Sequence, residues 1–453
     1  MVIDTLRADH LGMYGYEERP TSPNLDERAA SAAVFEHAYT TAPWTLPAFG
    51  SLLTGQLPTR HGAGVILEDV AAAKGRGDLR ELVGRQDKIF FPLDPSLPTL
   101  ASRLTEAGYD TGAIVNNAFL SPEFGIDRGF STYDYRQRAP ARNAETATDL
   151  ALAWLDTHDA ERAAAPFMLL VHYFDPHMPY SAPEPFQGRF SGRYLGDEFT
   201  LPLEDMRRIR FPIRDQVEGW ERYAALEIAL YDEEIAYTDH ELERLLEALD
   251  RRGFWDNGVL VVTSDHGEEF HDHDRFEHGH TVYEELIHVP LMVWGPGVEA
   301  GHYDVPVSIV DVMPTLLAAA GVAGDAEFAG ESLSQVMAEG PATSRQSVLR
   351  FDRPLVAERT LYGDEKKALI RWPWKMIADI DDSAQVLFDL AVDPGEVDRR
   401  DPDDLDEQDR DRFLSMLAEL QTMMLQADVG SRGQGASLSA ETLRTLRNLG
   451  YLR

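Results

Sequence analysis

Val259-Leu260-Val261-Val262-Thr263-Ser264-Asp265-His266-Gly267 is an apolar run that stops abruptly on an acid, an imidazole and a glycine. Five apolar and β-branched residues in a row fit a buried strand. The polar residues that follow it sit where that strand would end. Three other stretches repeat the pattern: Val2-Ile3 running into Asp4, Thr111 to Val115 into Asn116 and Asn117, and Phe167 to Phe174 into Asp175-Pro176-His177. Helical patterns lie between them. Asn143 to His158 places Ala147, Leu150, Trp154 and Leu155 on one face, and a long stretch from about Gly219 to Arg252 keeps Leu226, Leu230, Tyr237, Leu242, Leu245 and Leu249 near helical spacing. Gly253 supplies its stop. Strands alternating with helices predict an α/β fold with a mostly parallel central sheet flanked by helices. In such a sheet the active site forms at the C-terminal edge of the strands, which is where the polar residues recur.

The pattern changes after about residue 345. Leu355 to Ala357, Lys367 to Ile370, Lys375 to Ile380 and Val386 to Leu390 read as short strands separated by turn residues, hence an antiparallel unit. An acidic segment, Asp398 to Asp411, precedes a helix expected from about Arg412 to Asp428. Gly430 to Gly435 reads as a linker, and Ala440 to Leu452 as one more short helix. The expected organisation is a catalytic domain over residues 1–345 and a smaller C-terminal α+β subdomain over 346–453.

Composition narrows the function. The 453 residues carry 42 Lys plus Arg against 78 Asp plus Glu, a formal charge of -36. A chain this acidic repels phosphate backbones and anionic membrane surfaces, so no nucleic acid partner is expected. There is no cysteine, which forbids disulfides, thiolate metal sites and thiol nucleophiles. The longest apolar runs fall far short of a membrane span. With no basic leader before Asp4, the chain as written reads as cytoplasmic. A strand opening at residue 1 is short, which leaves room for a clipped start and a lost leader. No motif sets the oligomeric state.

Pro43-Trp44-Thr45-Leu46-Pro47-Ala48-Phe49-Gly50-Ser51-Leu52-Leu53-Thr54-Gly55 is the other informative stretch. Thr45 fits an N-cap, Pro47 is tolerated in a first helical turn, and Gly55 closes a helix of two turns or so. A hydroxyl there faces unpaired backbone N–H groups and the positive end of the helix dipole. That position suits an anionic ester, or ionisation beside a metal.

Together these stretches resemble the sulfatase family of the alkaline phosphatase superfamily. The likeness runs through Asp4-Thr5-Leu6-Arg7-Ala8-Asp9-His10-Leu11-Gly12, Thr21-Ser22-Pro23-Asn24-Leu25-Asp26, Thr54-Gly55, Leu120 to Phe130 and Tyr231 to Tyr237. It continues through Thr263 to Glu268, His278-Gly279-His280, Val310 to Thr315 and the terminal Leu446 to Leu452.

The resemblance implies the alkaline-phosphatase-like sulfatase fold and one divalent metal. Asp4 matches the family's first metal carboxylate, and Asp265 and His266 its later ligand pair. Hard oxygens with one imidazole suit Mn, Mg or Ca, with Zn also compatible. Thr5 stands where many sulfatases carry a second aspartate, so Asp9 or a water is a candidate to complete the shell. Thr45 aligns with the residue that sulfatases convert from cysteine or serine into formylglycine, an aldehyde threonine cannot give. Phe49 replaces the arginine that anchors the modified residue.

Both departures resemble relatives that use an unmodified, metal-bound threonine on phosphorus, so no formylglycine is expected. His177 and His280 match positions that face the ester oxygens and the leaving group. Asn116 or Asn117 would donate to the anion. Asp175, His177 and His280 form an alternative set for a second metal. The expected activity is hydrolysis of a small anionic ester, phosphate before sulfate, through metal-bound Thr45. The alternatives are transfer of a phospho group to an alcohol and a non-catalytic anion-binding descendant.

Overall fold

The structure, a computed structural model, describes residues 1–65, 89–136, 142–161, 165–194, 220–324, 328–341, 352–380, 384–426, 435–436, 438–448 and 451. Most of the long loop expected at Leu67 to Phe91, much of Ser181 to Arg214, and nearly all of the linker at Gly430 to Gly435 lie outside the described residues.

The central sheet contains β1 (Val2–Ile3), β2 (Ala33–Phe35), β3 (Asp110–Val115), β4 (Thr132–Tyr135), β5 (Phe167–Tyr173), β6 (Leu260–Ser264), β7 (Leu291–Trp294) and β8 (Gly301–Tyr303). Their order is β8-β2-β7-β6-β1-β5-β3-β4. The run β6-β1-β5-β3-β4 is parallel throughout, and β7 enters antiparallel to β6 and β2. The four strands expected from apolar runs are therefore neighbours. Register then builds the site: Val2 lies opposite both His172 and Thr263, and Ile3 opposite Tyr173 and Ser264. One residue further along, Asp4 leaves the sheet beside Asp265, its N–H donating to the Tyr173 carbonyl at 2.9 Å.

Helix α1 (Thr45–Thr54) packs against one face of the sheet, burying every one of its residues. Helices α2 (Ala144–Glu161) and α3 (Trp220–Arg251) cover the other. The buried stripe of α2 is Ala144, Ala147, Thr148, Ala151, Leu155 and His158. Small residues at helical spacing let the helix approach the sheet closely, leaving Leu150 and Trp154 only partly buried at its margin.

The C-terminal strands β9 (Leu355–Ala357), β10 (Lys366–Arg371), β11 (Trp374–Asp379) and β12 (Gln385–Asp389) form an antiparallel sheet in chain order. Period-two alternation divides its side chains. Ala368, Ile370, Ile377 and Phe388 face Val282, Leu286 and Ile287 of the large unit, whereas Leu369, Met376 and Leu387 face Phe413, Met416 and Leu420. Those last three belong to α4 (Glu407–Gln426), which starts five residues before the expected Arg412. Glu407 and Asp409 favour a helix N-terminus, so the end of the acidic segment is helix rather than a spacer before it. The final helix, α5, spans Ala440–Asn448.

Candidate metal and ester site

Asp4, Asp265 and His266 offer one ligand atom each within 4.8 Å of one another. All three side chains are buried. His266 Nδ1 lies 2.9 Å from the Gly267 carbonyl, an acceptor only, so Nδ1 carries the proton and Nε2 the lone pair. That lone pair sits 3.5 Å from Asp4 Oδ1 and 3.5 Å from Asp265 Oδ2. Neither carboxylate oxygen has a hydrogen-bond partner. Thr45 Oγ1 lies 3.4 Å from the same nitrogen. Orphaned buried acceptors are costly, and two carboxylate oxygens and an imidazole lone pair converging on one point fit a cation. Gly267 allows the turn: a Cβ on it would lie 2.0 Å from the Glu285 carbonyl oxygen.

The electrostatics agree. Burial and the neighbouring charge of Asp4 push the Asp265 carboxyl well above its ordinary value. Burial would raise Asp4 as well, but His177, His172 and His266 outweigh it and hold that carboxyl well below the usual range. Burial lowers His266, keeping the ring neutral as a ligand must be.

Asn117, just past β3, donates its amide to Asp4 Oδ2 at 2.7 Å and to Thr45 Oγ1 at 3.1 Å. With a donor on its oxygen, the Thr45 hydroxyl directs its own proton elsewhere. Thr45 is the first residue of α1, and the N-cap is Trp44, with φ -166° and ψ 160°. The expected capping role of Thr45 is thus corrected by one position. Trp44 is fixed in extended geometry by its indole N–H, which donates to the Arg359 carbonyl at 2.5 Å. The Thr45 hydroxyl is thereby left to the site.

The remaining sequence-derived residues divide. His177 is buried with Nδ1 2.7 Å from the Met178 carbonyl and Nε2 2.8 Å from the Tyr451 hydroxyl. Burial lowers its pKa to about 4, against the opposing pull of Asp4. His280 is turned to Glu269 Oε2 at 2.6 Å. Asn116 commits its amide to the His172 carbonyl at 2.5 Å, so Asn117 alone of the pair reaches Thr45. Asp9 is held by Arg7 through two hydrogen bonds, which removes it as a candidate for the metal shell. Asp175 accepts the Ala144 N–H at 2.5 Å, and among the described residues Asp4, Asp265 and His266 are the one group with metal-binding geometry. The second-metal set of Asp175, His177 and His280 is not assembled.

Two neighbours escaped the sequence reading. His172 Nε2 lies 3.3 Å from Asp4 Oδ2, and the Phe49 ring meets its imidazole edge to face at 5.3 Å. Phe49, the departure from the expected arginine, therefore backs a histidine that leans on Asp4, a candidate metal ligand. Tyr451 is the other, reaching His177 from the far end of the chain. Thr5, at the expected second carboxylate, adopts φ 57° with an unpartnered hydroxyl. A β-branched residue in that region is strained, as residues at functional sites often are.

The family model named Sulfatase matches residues 1–322. The chain belongs to the sulfatase family. Arylsulfatase K of Mus musculus is 29% identical over 278 residues, 55% of this chain and 48% of its own, so the chain spans about half that relative. The Delta 4,5-hexuronate-2-O-sulfatase of Bacteroides thetaiotaomicron is 24% identical over 436 residues, covering 86% of this sulfatase-family chain and 82% of its own. The phosphonate monoester hydrolase of Agrobacterium radiobacter shares the fold with a TM-score of 0.69 at 21% identity, covering 94% of this chain and 95% of that one. These sulfatase-family relatives and structural neighbours are ester hydrolases. Among the described residues, no helix of this sulfatase-family chain is long and apolar enough to cross a membrane.

Proposed function

We propose that this protein is a metal-dependent ester hydrolase whose nucleophile is the unmodified Thr45 hydroxyl and whose preferred substrate is a small phosphate ester. The observation that carries the reading is the position of Thr45 Oγ1, 3.4 Å from His266 Nε2 and hydrogen-bonded to Asn117, at a buried group of acceptors. Asp4, Asp265 and His266 would hold the ion, whose charge lowers the hydroxyl pKa and neutralises the ester's non-bridging oxygens.

The chain's own residues supply the rest. Thr45 Oγ forms a bond to phosphorus as the bond to the ester oxygen breaks, and the proton that leaves the Thr45 hydroxyl ends on the departing alkoxide. Water then displaces Thr45 and restores its hydroxyl. Asn117 fixes the nucleophile against Asp4 through both stages. Phosphorus is preferred over sulfur because threonine carries a secondary alcohol, whose oxidation gives a ketone and never formylglycine.

The test is a panel of p-nitrophenyl phosphate, bis-p-nitrophenyl phosphate, p-nitrophenyl phenylphosphonate and p-nitrophenyl sulfate, assayed with Mn, Mg, Ca and Zn. Phosphorus esters should turn over fastest, in a metal-dependent way. Faster turnover of the sulfate by wild type, lost in Thr45→Ala, would overturn the preference for phosphorus.

A further inference from the structure

Strand β9 runs into a segment that touches both sides of the candidate centre. The Glu358 N–H donates to the Thr41 carbonyl at 2.8 Å, just ahead of α1. The Arg359 carbonyl accepts the indole N–H of Trp44, the residue before Thr45, at 2.5 Å. The Leu361 and Tyr362 N–H groups then converge on the Gly279 carbonyl at 2.6 and 2.9 Å. Gly279 lies between His278 and His280, and the His278 ring is 4.4 Å from that of His266, centroid to centroid. Arg359 sits in this bridge with φ 68°, a left-handed conformation that persists in a residue with a Cβ only where the surrounding bonds impose it.

The side chain is unusual in its lack of a counter-charge. Arg359 is only 5% exposed, and its Nε is sealed from solvent without a hydrogen-bond partner. Six Arg and Lys residues are buried among the described residues. Arg7, Arg19, Arg142, Lys367 and Lys375 each meet a carboxylate. Arg359 forms no ion pair with any described residue. The neighbouring Glu358 is already committed, its Oε1 accepting the Thr59 N–H at 2.6 Å and its Oε2 the Lys367 ammonium at 2.6 Å. Burial and, after it, the Arg359 charge lower the His61 pKa, and His61 rests on Pro47 and Ser51 of α1. The charge therefore lies near the helix that Thr45 begins. A buried guanidinium with no carboxylate beside it is costly, the more conspicuously in a chain that carries 78 acidic residues, and an anion brought from outside removes that cost.

We propose that Arg359 is a specificity-determining residue: its guanidinium receives a second oxyanion, a carboxylate or a phosphate, carried by the organic part of the ester. The inference rests on the hydrolase reading given above and narrows its substrates to esters with two anionic groups. A guanidinium presents parallel N–H donors that match the two oxygens of such a group, and exclusion of water strengthens the contact. It also gives a strongly acidic chain a fixed positive centre for the far end of an anionic substrate.

The test compares phenyl phosphate with 3- and 4-carboxyphenyl phosphate and 1,4-phenylene bisphosphate, using the full chain with bound Mg. Wild type should favour at least one doubly charged ester over phenyl phosphate by roughly tenfold or more in kcat/KM, and the carboxylate and phosphate arms identify the oxyanion. In Arg359→Gln that preference should vanish, through KM more than kcat. The ligand-free variant should melt no lower than wild type, because an unpaired buried charge has been removed; a purely structural arginine would leave it less stable. Arg359→Gly, for which φ 68° is unstrained, serves if the glutamine variant folds poorly. No preference in wild type, or a preference that survives in a folded variant, would overturn the proposal. Titration calorimetry with phenylphosphonate, 3- and 4-carboxyphenylphosphonate and 1,4-phenylenebisphosphonate gives a readout without turnover. Wild type should bind a doubly charged probe roughly tenfold or more tighter than either variant does, and equal binding would overturn the proposal. If wild type cleaves no ester, the hydrolase reading fails while the calorimetry still decides the role of Arg359.

Discussion

Thr45 Oγ1 and His266 Nε2 stand 3.4 Å apart although 221 residues separate them in the chain. One begins a helix on a face of the sheet, and the other follows a central strand. In the proposed mechanism their meeting makes a helix terminus the nucleophile site. Thr45→Ala should therefore lower kcat/KM by about a thousandfold or more, while the melting temperature stays near that of wild type. Stability is spared because the Thr45 hydroxyl caps no helix N–H, Trp44 holding the N-cap position, and the Asn117 amide keeps its 2.7 Å bond to Asp4 when the hydroxyl is gone. Thr45→Ser should retain measurable turnover. Rates like those of wild type in the alanine variant would remove Thr45 as nucleophile.

Asp265 is buried beside Asp4, and both burial and that charge raise its pKa. In the metal-free protein the folded state then holds a proton on Asp265 that the unfolded chain releases near its ordinary 3.8. Wherever the folded state binds more protons, stability falls as pH rises. The metal-free protein should accordingly be less stable at pH 8 than at pH 5, in proportion to this group. Asp265→Asn should raise the metal-free melting temperature at pH 8 and abolish the further rise that added metal gives to wild type. Thermal melts with chelator and with Mg at both pH values check this. An Asp265→Asn protein still stabilised by metal as wild type is would refute the ligand assignment.

Phe49 is fully buried, with its ring against His172. Restoring the arginine expected at this position should not improve sulfate-ester turnover. A guanidinium there would lose its hydration and lie beside an imidazole that offers no negative charge, at a cost on the order of 3 kcal/mol or more. Phe49→Arg is expected to give poorly folded protein, and Phe49→Leu a folded enzyme with modestly reduced stability. Circular dichroism melts of both variants, with rates for the folded one, measure the difference. A stable, active Phe49→Arg enzyme would show that the pocket can accept charge.

The sheet and most of the metal group were legible because they follow local rules. An apolar run ends where the strand ends, so Asp4, Asn117, His177 and Asp265 announce themselves among the first polar residues beyond their strands. His172 was missed for the complementary reason. It lies inside β5, where one polar side chain among apolar neighbours reads as a tolerated interruption, although an imidazole two residues from a strand's polar end is a signal in itself. Asn116 and Asn117 could not be told apart before the backbone fixed which amide turns to His172 and which to Thr45. Tyr451 lies in a stretch that carries the family resemblance, Leu446 to Leu452, but nothing near residue 451 records that the chain returns to Phe119 and His177. The cap of α1 slipped by one residue because a threonine is the better capping side chain, but Trp44 is held extended by a hydrogen bond to Arg359.

His61 ties helix α1 to the chain that follows it. Its Nδ1 accepts the Ala63 N–H at 3.1 Å, and its Nε2 lies 3.0 Å from the Pro47 carbonyl and 3.1 Å from Ser51 Oγ, both in α1. Packing is tight as well, since a Cβ on Gly50 would lie 2.5 Å from the imidazole Cε1. Burial lowers the His61 pKa from 6.5 to about 3, so the folded protein keeps the ring neutral. Below pH 6.5 the unfolded chain takes up a proton that the folded one refuses. Stability is therefore complete above that pH and is lost progressively as pH falls towards 3, by an amount on the order of 4 kcal/mol across the window. His61→Gln should remove this part of the acid limb while costing about 1–2 kcal/mol at pH 8 through imperfect hydrogen bonds to Pro47 and Ala63. Urea unfolding of both proteins between pH 4.5 and pH 8 gives the comparison. Parallel stability curves for the two would show that His61 is not the group that titrates.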